Sequence, residues 1–183
     1  MDEAVPLVVP EVNGALLDAG PDLVANGNCV AIPLVMTLKP LASLAGLERV
    51  VVSSYQSVSG AGLEAVEELD RGVRAGLEGP PSARSDGRPP FAFNVLPHID
   101  NFDAEGWTGE EKKIANETRR MLGLPGLRVT STAVRVPVRV GHSASVVAWF
   151  DRPVDVTAAH AAWRAFPGVS VVDEPSAERY PTP

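Results

Sequence analysis

Cysteine is nearly absent: Cys29 is the only one in 183 residues. An intrachain disulfide framework and Cys-rich zinc sites are therefore excluded. Basic residues are scarce, with 16 Lys and Arg against 23 Asp and Glu and a formal net charge of −7. This argues against a nucleic-acid module, which needs a basic face to neutralise phosphates. It also offers no polybasic signal for an anionic membrane. Long apolar runs are missing too. The least charged stretch, Leu23 to Leu38, is interrupted by Asn26, Asn28 and Pro33 and is too short and polar to span a bilayer. The opening Met1-Asp2-Glu3-Ala4 lacks the basic start of a signal peptide, so the expected location is the cytoplasm. What is present is enough apolar material, 45%, to bury a core, in a length that suits one domain.

The pattern along the chain mixes strands and helices without regular alternation, which favours an α+β fold over a doubly wound sheet. Strands are expected at Val5–Val9, Arg49–Ser53, Phe91–Leu96, Ser143–Phe150 and Val169–Val172. One or two more are expected within Arg128–Val140, with Pro137 at an edge or bulge. The run Arg49–Ser53 does not alternate and is expected to be covered on both faces. Helices are expected at Val30–Leu38, from Gly60–Gly62 to about Leu69, from Thr108 to Met121, and at Thr157–Ala165. Pro33 must then fall in a first turn, and Pro40 should end or kink the helix. Thr108 is an expected N-cap, with Glu110 and Glu111 in the first turn and Arg119 and Arg120 in the last. Residues 76–90 are rich in Gly, Pro and Ser and read as an exposed loop.

Several residues carry candidate chemistry. Cys29 follows Asn26-Gly27-Asn28 and precedes an apolar helix. Unpaired amides and the positive end of a helix dipole favour thiolate over thiol, and the thiolate is the nucleophile. The competing reading is a small buried hydrophobe. His142, between Gly141 and Ser143 after a strand-rich run, is accessible enough to be a general base or merely a packed histidine. His98 and His160 read more readily as structural. The three histidines share no metal-ligand spacing, so no metal site is expected. Ser59-Gly60-Ala61-Gly62-Leu63-Glu64-Ala65 contains the Gly-x-Gly-x-x-Ala pattern of a dinucleotide turn. Six residues separate it from the strand, however, and a loop follows where a second strand should come. A helix N-terminus offering amides to some other ligand stays open as an alternative. Glu110 and Lys113 are three apart and share a helix face. Arg135, inside an apolar strand run, needs a carboxylate from the protein or from a ligand.

Taken in order, these segments resemble bacterial aspartate-β-semialdehyde dehydrogenase. The resemblance rests on Val5-Pro6-Leu7-Val8-Val9-Pro10-Glu11-Val12-Asn13, Asn26-Gly27-Asn28-Cys29 and Leu38-Lys39-Pro40-Leu41. It continues through Val51-Val52-Ser53-Ser54-Tyr55-Gln56-Ser57-Val58-Ser59-Gly60-Ala61-Gly62 and Phe93-Asn94-Val95-Leu96-Pro97. Glu110-Glu111-Lys112-Lys113 with Glu117-Thr118, the segment Arg135 to Ser143, and Asp173-Glu174-Pro175 complete it. N-acetyl-glutamyl-phosphate reductase shares the plan and is the nearest rival. The Arg-Val-Pro-Val segment leading to Gly141-His142, and Ser54-Tyr55-Gln56, favour the aspartate enzyme.

The resemblance implies NADPH-dependent reductive dephosphorylation of L-aspartyl-4-phosphate to the semialdehyde, in the route to lysine, threonine and methionine. It implies Cys29 as the nucleophile that forms an acyl-thioester and His142 as general acid/base. Gln56, Glu110 and Arg135 match substrate-binding groups, Lys113 a phosphate ligand, and Ser59 and Gly60 a loop near the NADP cofactor. It implies a single catalytic and dimerisation domain over residues 1–183, a mixed sheet with helices on one face, and a homodimer. Family members resemble a two-domain chain nearly twice this length. The nucleotide-binding domain and the C-terminal end are expected to be missing here, with a separate nucleotide-binding chain as a possible partner. Gly27 stands where the family usually has proline, which is expected to loosen the nucleophile turn. The alternative is a non-catalytic paralogue that acts by association.

Overall fold

Every second residue from Val50 to Gln56 is buried, and the residues between them are partly or largely exposed. That period of two places one side of a strand on a core. The strand, β1 (Leu47–Gln56), is the centre of a three-stranded sheet of order β2-β1-β3, with β2 at Arg128–Arg135 and β3 at Ser143–Phe150. The covering expected on both faces is thus replaced by covering on one, because Ser53 and Tyr55 put polar groups on the other face. The start of β2 meets the start of β1, through Arg128 and Glu48 at 4.0 Å. Beyond its end, the Val136 amide donates to the Gln56 carbonyl at 3.0 Å. β1 and β2 are therefore parallel. The Asp151 amide, just past β3, donates to the carbonyl of Gly46, just before β1, so β3 is antiparallel. The sheet is mixed and the fold is α+β, as expected.

The computed structural model describes residues 4–80 and 82–183. The reading of the first residues as a non-signal start, and Pro81 of the long loop, lie outside them. The helices are α1 (Pro10–Asn13), α2 (Ala31–Ala42), α3 (Leu63–Gly76), α4 (Gly109–Leu122) and α5 (Val156–Ala165).

The chain divides into two compact units. The first comprises residues 1–51, 113–130 and 146–181, the second residues 52–112, 131–145 and 182–183. In the first unit, Leu7, Val30, Leu34, Val35, Leu38, Ile114 and Met121 are buried, and α2 packs on α5. Pro33 falls in the first turn of α2, where its missing amide costs nothing. Pro40 does not end this helix. The chain continues for two residues and closes with the Ser43 amide on the Lys39 carbonyl, so only one internal hydrogen bond is forgone. The C-terminal end of α4 is a Schellman stop: Gly123, at φ +68, donates to Arg120, and Leu124 donates to Arg119. Asp155 caps α5 by accepting from the Ala158 amide.

In the second unit, Val58, Ala65, Val66, Leu69, Phe91 and Ala92 form the core. α3 runs to Gly76, beyond the expected end near Leu69, because Val66, Leu69 and Val73 keep a helical apolar stripe. Thr108 and Glu111 make a capping box: the Thr108 hydroxyl accepts from the Glu111 amide, and the Glu111 carboxylate accepts from the Thr108 amide. The loop after α3 is exposed but held. Asp86 accepts from Arg84 at 2.8 Å and pairs with Arg88 at 3.1 Å. Arg84 in turn lies 4.3 Å over the Phe91 ring.

Three expected strands are not formed. Val5–Val9 makes only a parallel bridge between Leu7 and Ala25, because Pro6 interrupts it and Pro10 starts α1. Phe91–Leu96 keeps only the bridge of Leu96 to Arg135, since Phe93 sits at φ +56 and breaks the extension. Val169–Val172 follows Gly168 at φ +75 and finds no ladder partner. Within Arg128–Val140 there is one strand, which stops before Pro137.

Candidate active site

In the first unit, the residues around Cys29 form a helix-initiating turn. The Asn28 side chain accepts from the amides of Val30 (2.9 Å) and Ala31 (3.1 Å), and the Asn28 carbonyl accepts from Ile32 (3.0 Å). Pro33 has no amide. Those amides of α2 are thus bonded to Asn28 and are not the unpaired donors expected for Cys29. The Asn28 amide donates to the buried Glu117 carboxylate on α4. Cys29 itself is exposed, which overturns the reading of a small buried hydrophobe. At Gly27 a Cβ would lie 3.0 Å from both the Ile32 side chain and the Met121 sulfur, so a larger residue there would require those side chains to shift. Lys113 is an exposed residue of α4, one turn beyond Glu110.

In the second unit, residues beyond the end of β1 gather polar groups from distant parts of the chain. Gln56 is 1% exposed and donates through Nε2 to Glu110 Oε1 at 2.9 Å. Residues 136–139 run beside 56–59: Val136 donates to Gln56, and Val58 and Ser59 donate to Val138 and Arg139. That pairing brings His142 back onto Ser57. The Ser57 amide donates to His142 Nδ1 at 3.1 Å, and the Ser57 hydroxyl lies 3.0 Å from the same nitrogen. The Arg135 guanidinium, 8% exposed, donates to the Ser57 carbonyl at 2.6 Å. The Ser59 and Ser57 hydroxyls are 3.0 Å apart.

Gly60 lies in a short 3-10 turn, Val58–Ala61, and Gly62, at φ +98, precedes α3. A Cβ on Gly60 would sit 3.1 Å from Arg135 Nη1 and 3.6 Å from His142 Nε2. The Gly-x-Gly pattern is therefore a close-packing turn at this cluster. Among the described residues the next element after α3 is the helix α4 and not a strand, so the strand–turn–helix–strand order of a dinucleotide-binding unit is not present there. Arg135 also lines an open polar cavity of about 400 Å³ with Glu64, Arg88 and His98.

Six of the eight residues singled out in the sequence thus share the second unit: Gln56, Ser59, Gly60, Glu110, Arg135 and His142. Cys29 and Lys113 belong to the first. The other histidines have structural partners, His98 stacked on Phe102 at 4.5 Å and His160 at 3.3 Å from Asp173. Among the described residues, no group of three His, Cys, Asp or Glu is placed to hold a metal, and no helix is long and apolar enough to cross a membrane. Sequence reasoning missed Ser57, Glu111 and Glu117. The signals available were a serine directly after Gln56, an acid three residues after the Thr108 cap, and an acid seven residues after Glu110 on the same helix face. Glu111 receives the Ala133 amide at 3.2 Å, tying α4 to β2 within the second unit.

The chain is similar to known proteins in both sequence and fold. Residues 38–183 match the family model described as semialdehyde dehydrogenase, dimerisation domain. The chain is 42% identical over 186 residues to an aspartate-semialdehyde dehydrogenase of Aquifex aeolicus, covering 100% of this chain and 55% of that protein. The crystal structure of aspartate semialdehyde dehydrogenase II from Vibrio cholerae superposes with a TM-score of 0.86 at 36% identity, covering 91% of this chain and 50% of the other. Its form complexed with ASA gives 0.85 at 35% identity, over 91% of this chain and 50% of that one. The chain spans about half the length of the curated relatives it matches. On these matches the chain belongs to the aspartate-semialdehyde dehydrogenase family, in the part that carries the dimerisation domain.

Proposed function

We propose that this chain carries the acyl-transfer half of an aspartate-semialdehyde dehydrogenase, acting on L-aspartyl-4-phosphate as one catalytic and dimerisation domain. The observation that carries the reading is the cluster in the second unit. An Arg fork, a buried amide–carboxylate pair and an imidazole converge on Gln56 and Ser57, residues at and just beyond one strand end. These are the groups that a small amino-dicarboxylate acyl donor requires: a fork for its carboxylate, an acid for its amine, and a proton carrier for the reacting carbonyl. Cys29, exposed on its turn, is the nucleophile. Its sulfur bonds to the acyl carbon, the carbon–oxygen bond to phosphate breaks, and phosphate leaves. Arg135 binds the substrate carboxylate, Glu110 the amine, Gln56 the acyl group, and Lys113 the phosphate. His142 holds or moves the proton at Nε2.

NADPH is the proposed cofactor and supplies hydride when bound. Gly60, in the short turn Val58–Ala61 beside His142, is proposed to lie near its reacting end. Ser59 belongs to the same loop. A further nucleotide-binding segment is proposed to hold the rest of the cofactor.

The proposed partner is a second copy of the chain. β3 stands at one edge of the sheet without a buried residue, and Val146, Val147 and Trp149 are all more than a third exposed. An apolar edge strand of that kind calls for a cover.

The test isolates the half-reaction that needs no cofactor. Incubation with β-aspartyl phosphate should release one phosphate per chain and leave an aspartyl adduct on Cys29, seen by intact-mass and peptide mass spectrometry. Phosphate release no faster than spontaneous hydrolysis, with Cys29 unmodified, would overturn the catalytic reading.

A further inference from the structure

We propose that Ser57 is a positioning residue that governs which ring nitrogen of His142 carries the proton. The inference rests on the reading of His142 as the acid/base group, and it adds a residue which that reading does not use. Two groups of Ser57 face the same nitrogen, and they pull in opposite directions. The backbone amide, 3.1 Å from Nδ1, is always a donor. Taken alone it requires a lone pair on Nδ1 and so places the proton of a neutral imidazole on Nε2. In that form Nε2 gives a proton but cannot take one. The hydroxyl, 3.0 Å from Nδ1, is both donor and acceptor. When Nδ1 carries a proton the hydroxyl accepts it, provided that its own hydrogen turns elsewhere. Ser59 Oγ, 3.0 Å away, is placed to receive it.

The line Ser59–Ser57–His142 therefore lets Nε2 go bare, which is the state a general base needs. Ser57 has no exposed surface, so water does not substitute for its hydroxyl. Its carbonyl meanwhile holds Arg135 at 2.6 Å. The same residue thus orients the proposed proton carrier and the proposed carboxylate fork. The Nε2 edge of the ring is left facing Gly60, where a Cβ would stand 3.6 Å away.

The experiment reads the tautomer directly, by long-range ¹H–¹⁵N correlation of the labelled chain at about pH 9, well above the ordinary histidine range of about 6.5. The His142 signals are identified by their loss in His142→Asn. In the wild-type chain the Nδ1–H form is expected to be populated. Ser57→Ala should lower its population about tenfold, the scale of one hydrogen bond, while Ser57→Thr, which keeps a hydroxyl, restores it. Ser59→Ala should lower it about twofold or more. A Ser57→Ala tautomer ratio within twofold of wild type overturns the inference. Should that variant fail to fold, Ser59→Ala decides in the same way, and an unchanged ratio there overturns it. No turnover is involved, so a failure here is distinct from a failure of Cys29 to acylate.

Discussion

The Cys29 turn and the Gln56–Ser57 cluster solve different problems with the same material, polar side chains bonded to backbone. The turn is half-open. Asn28 uses its side chain and carbonyl to start α2, Glu117 steadies the Asn28 amide, and the thiol is left exposed. The cluster is closed. Gln56, Ser57, Glu110 and Arg135 lie between 0 and 8% exposed, and their polar groups are bonded to one another. A nucleophile must be reached by its substrate and gains nothing from burial. A binding frame must keep its geometry, and buried hydrogen bonds are costly to break. The reactive atom is therefore cheap to alter for stability and expensive for chemistry, whereas the frame is expensive for both.

The sharpest way to break that contrast is Cys29→Ser. Acyl transfer should fall by roughly a thousandfold or more, since serine is a far weaker nucleophile. Urea unfolding should shift by no more than about 0.5 kcal/mol, the scale of an exposed substitution. A large stability loss would show that the thiol is structural.

Gln56→Leu should do the reverse to stability. Removing the donor to Glu110 inside a closed cluster costs about 1–3 kcal/mol in chemical denaturation. Thr108→Ala removes the N-cap of the helix that carries Glu110 and should cost about 1 kcal/mol, read as a lower midpoint with an unchanged denaturant slope.

The smallest effect belongs to the exposed loop. The hydrogen bond from Arg84, then that of the Arg88 amide, holds the Asp86 carboxyl down to about 2 from the ordinary 3.8. A depressed folded value means that the stabilising contribution is complete above about pH 3.8 and disappears as pH falls through about 2. Carboxyl NMR of Asp86 should therefore titrate near 2 in the wild type and move upward, toward 3.8, in Arg84→Ala, with the Arg88 amide still holding it below that value.

Much of this was legible in the residues. The capped helix from Thr108, the strand Ser143–Phe150 and the first-turn proline of α2 all followed from local rules, and each stands in the structure. The misreadings share a cause. Val5–Val9, Phe91–Leu96 and Val169–Val172 have the composition of strands, but a strand exists only if a neighbour supplies its ladder, and composition carries no information about neighbours. The three valines of Arg49–Ser53 mask the alternation that begins at Val50, which is why the run by itself suggests covering on both faces.

The site divides along the same line. Residue types and local spacing were enough to single out Cys29, Glu110, Arg135 and His142, and the family resemblance added Gln56. For Ser57 the only signal was its place directly after Gln56, and its three bonded groups matter because residues 136–139 fold back alongside 56–59. Residue types and local spacing determined which reactive groups this chain owns and where its helices begin and end, because those depend on interactions within a few residues. Which nitrogen faces which hydroxyl, and how tightly Gly27 and Gly60 must pack, were decided by tertiary structure alone, because only long-range pairing brings those atoms within reach of each other.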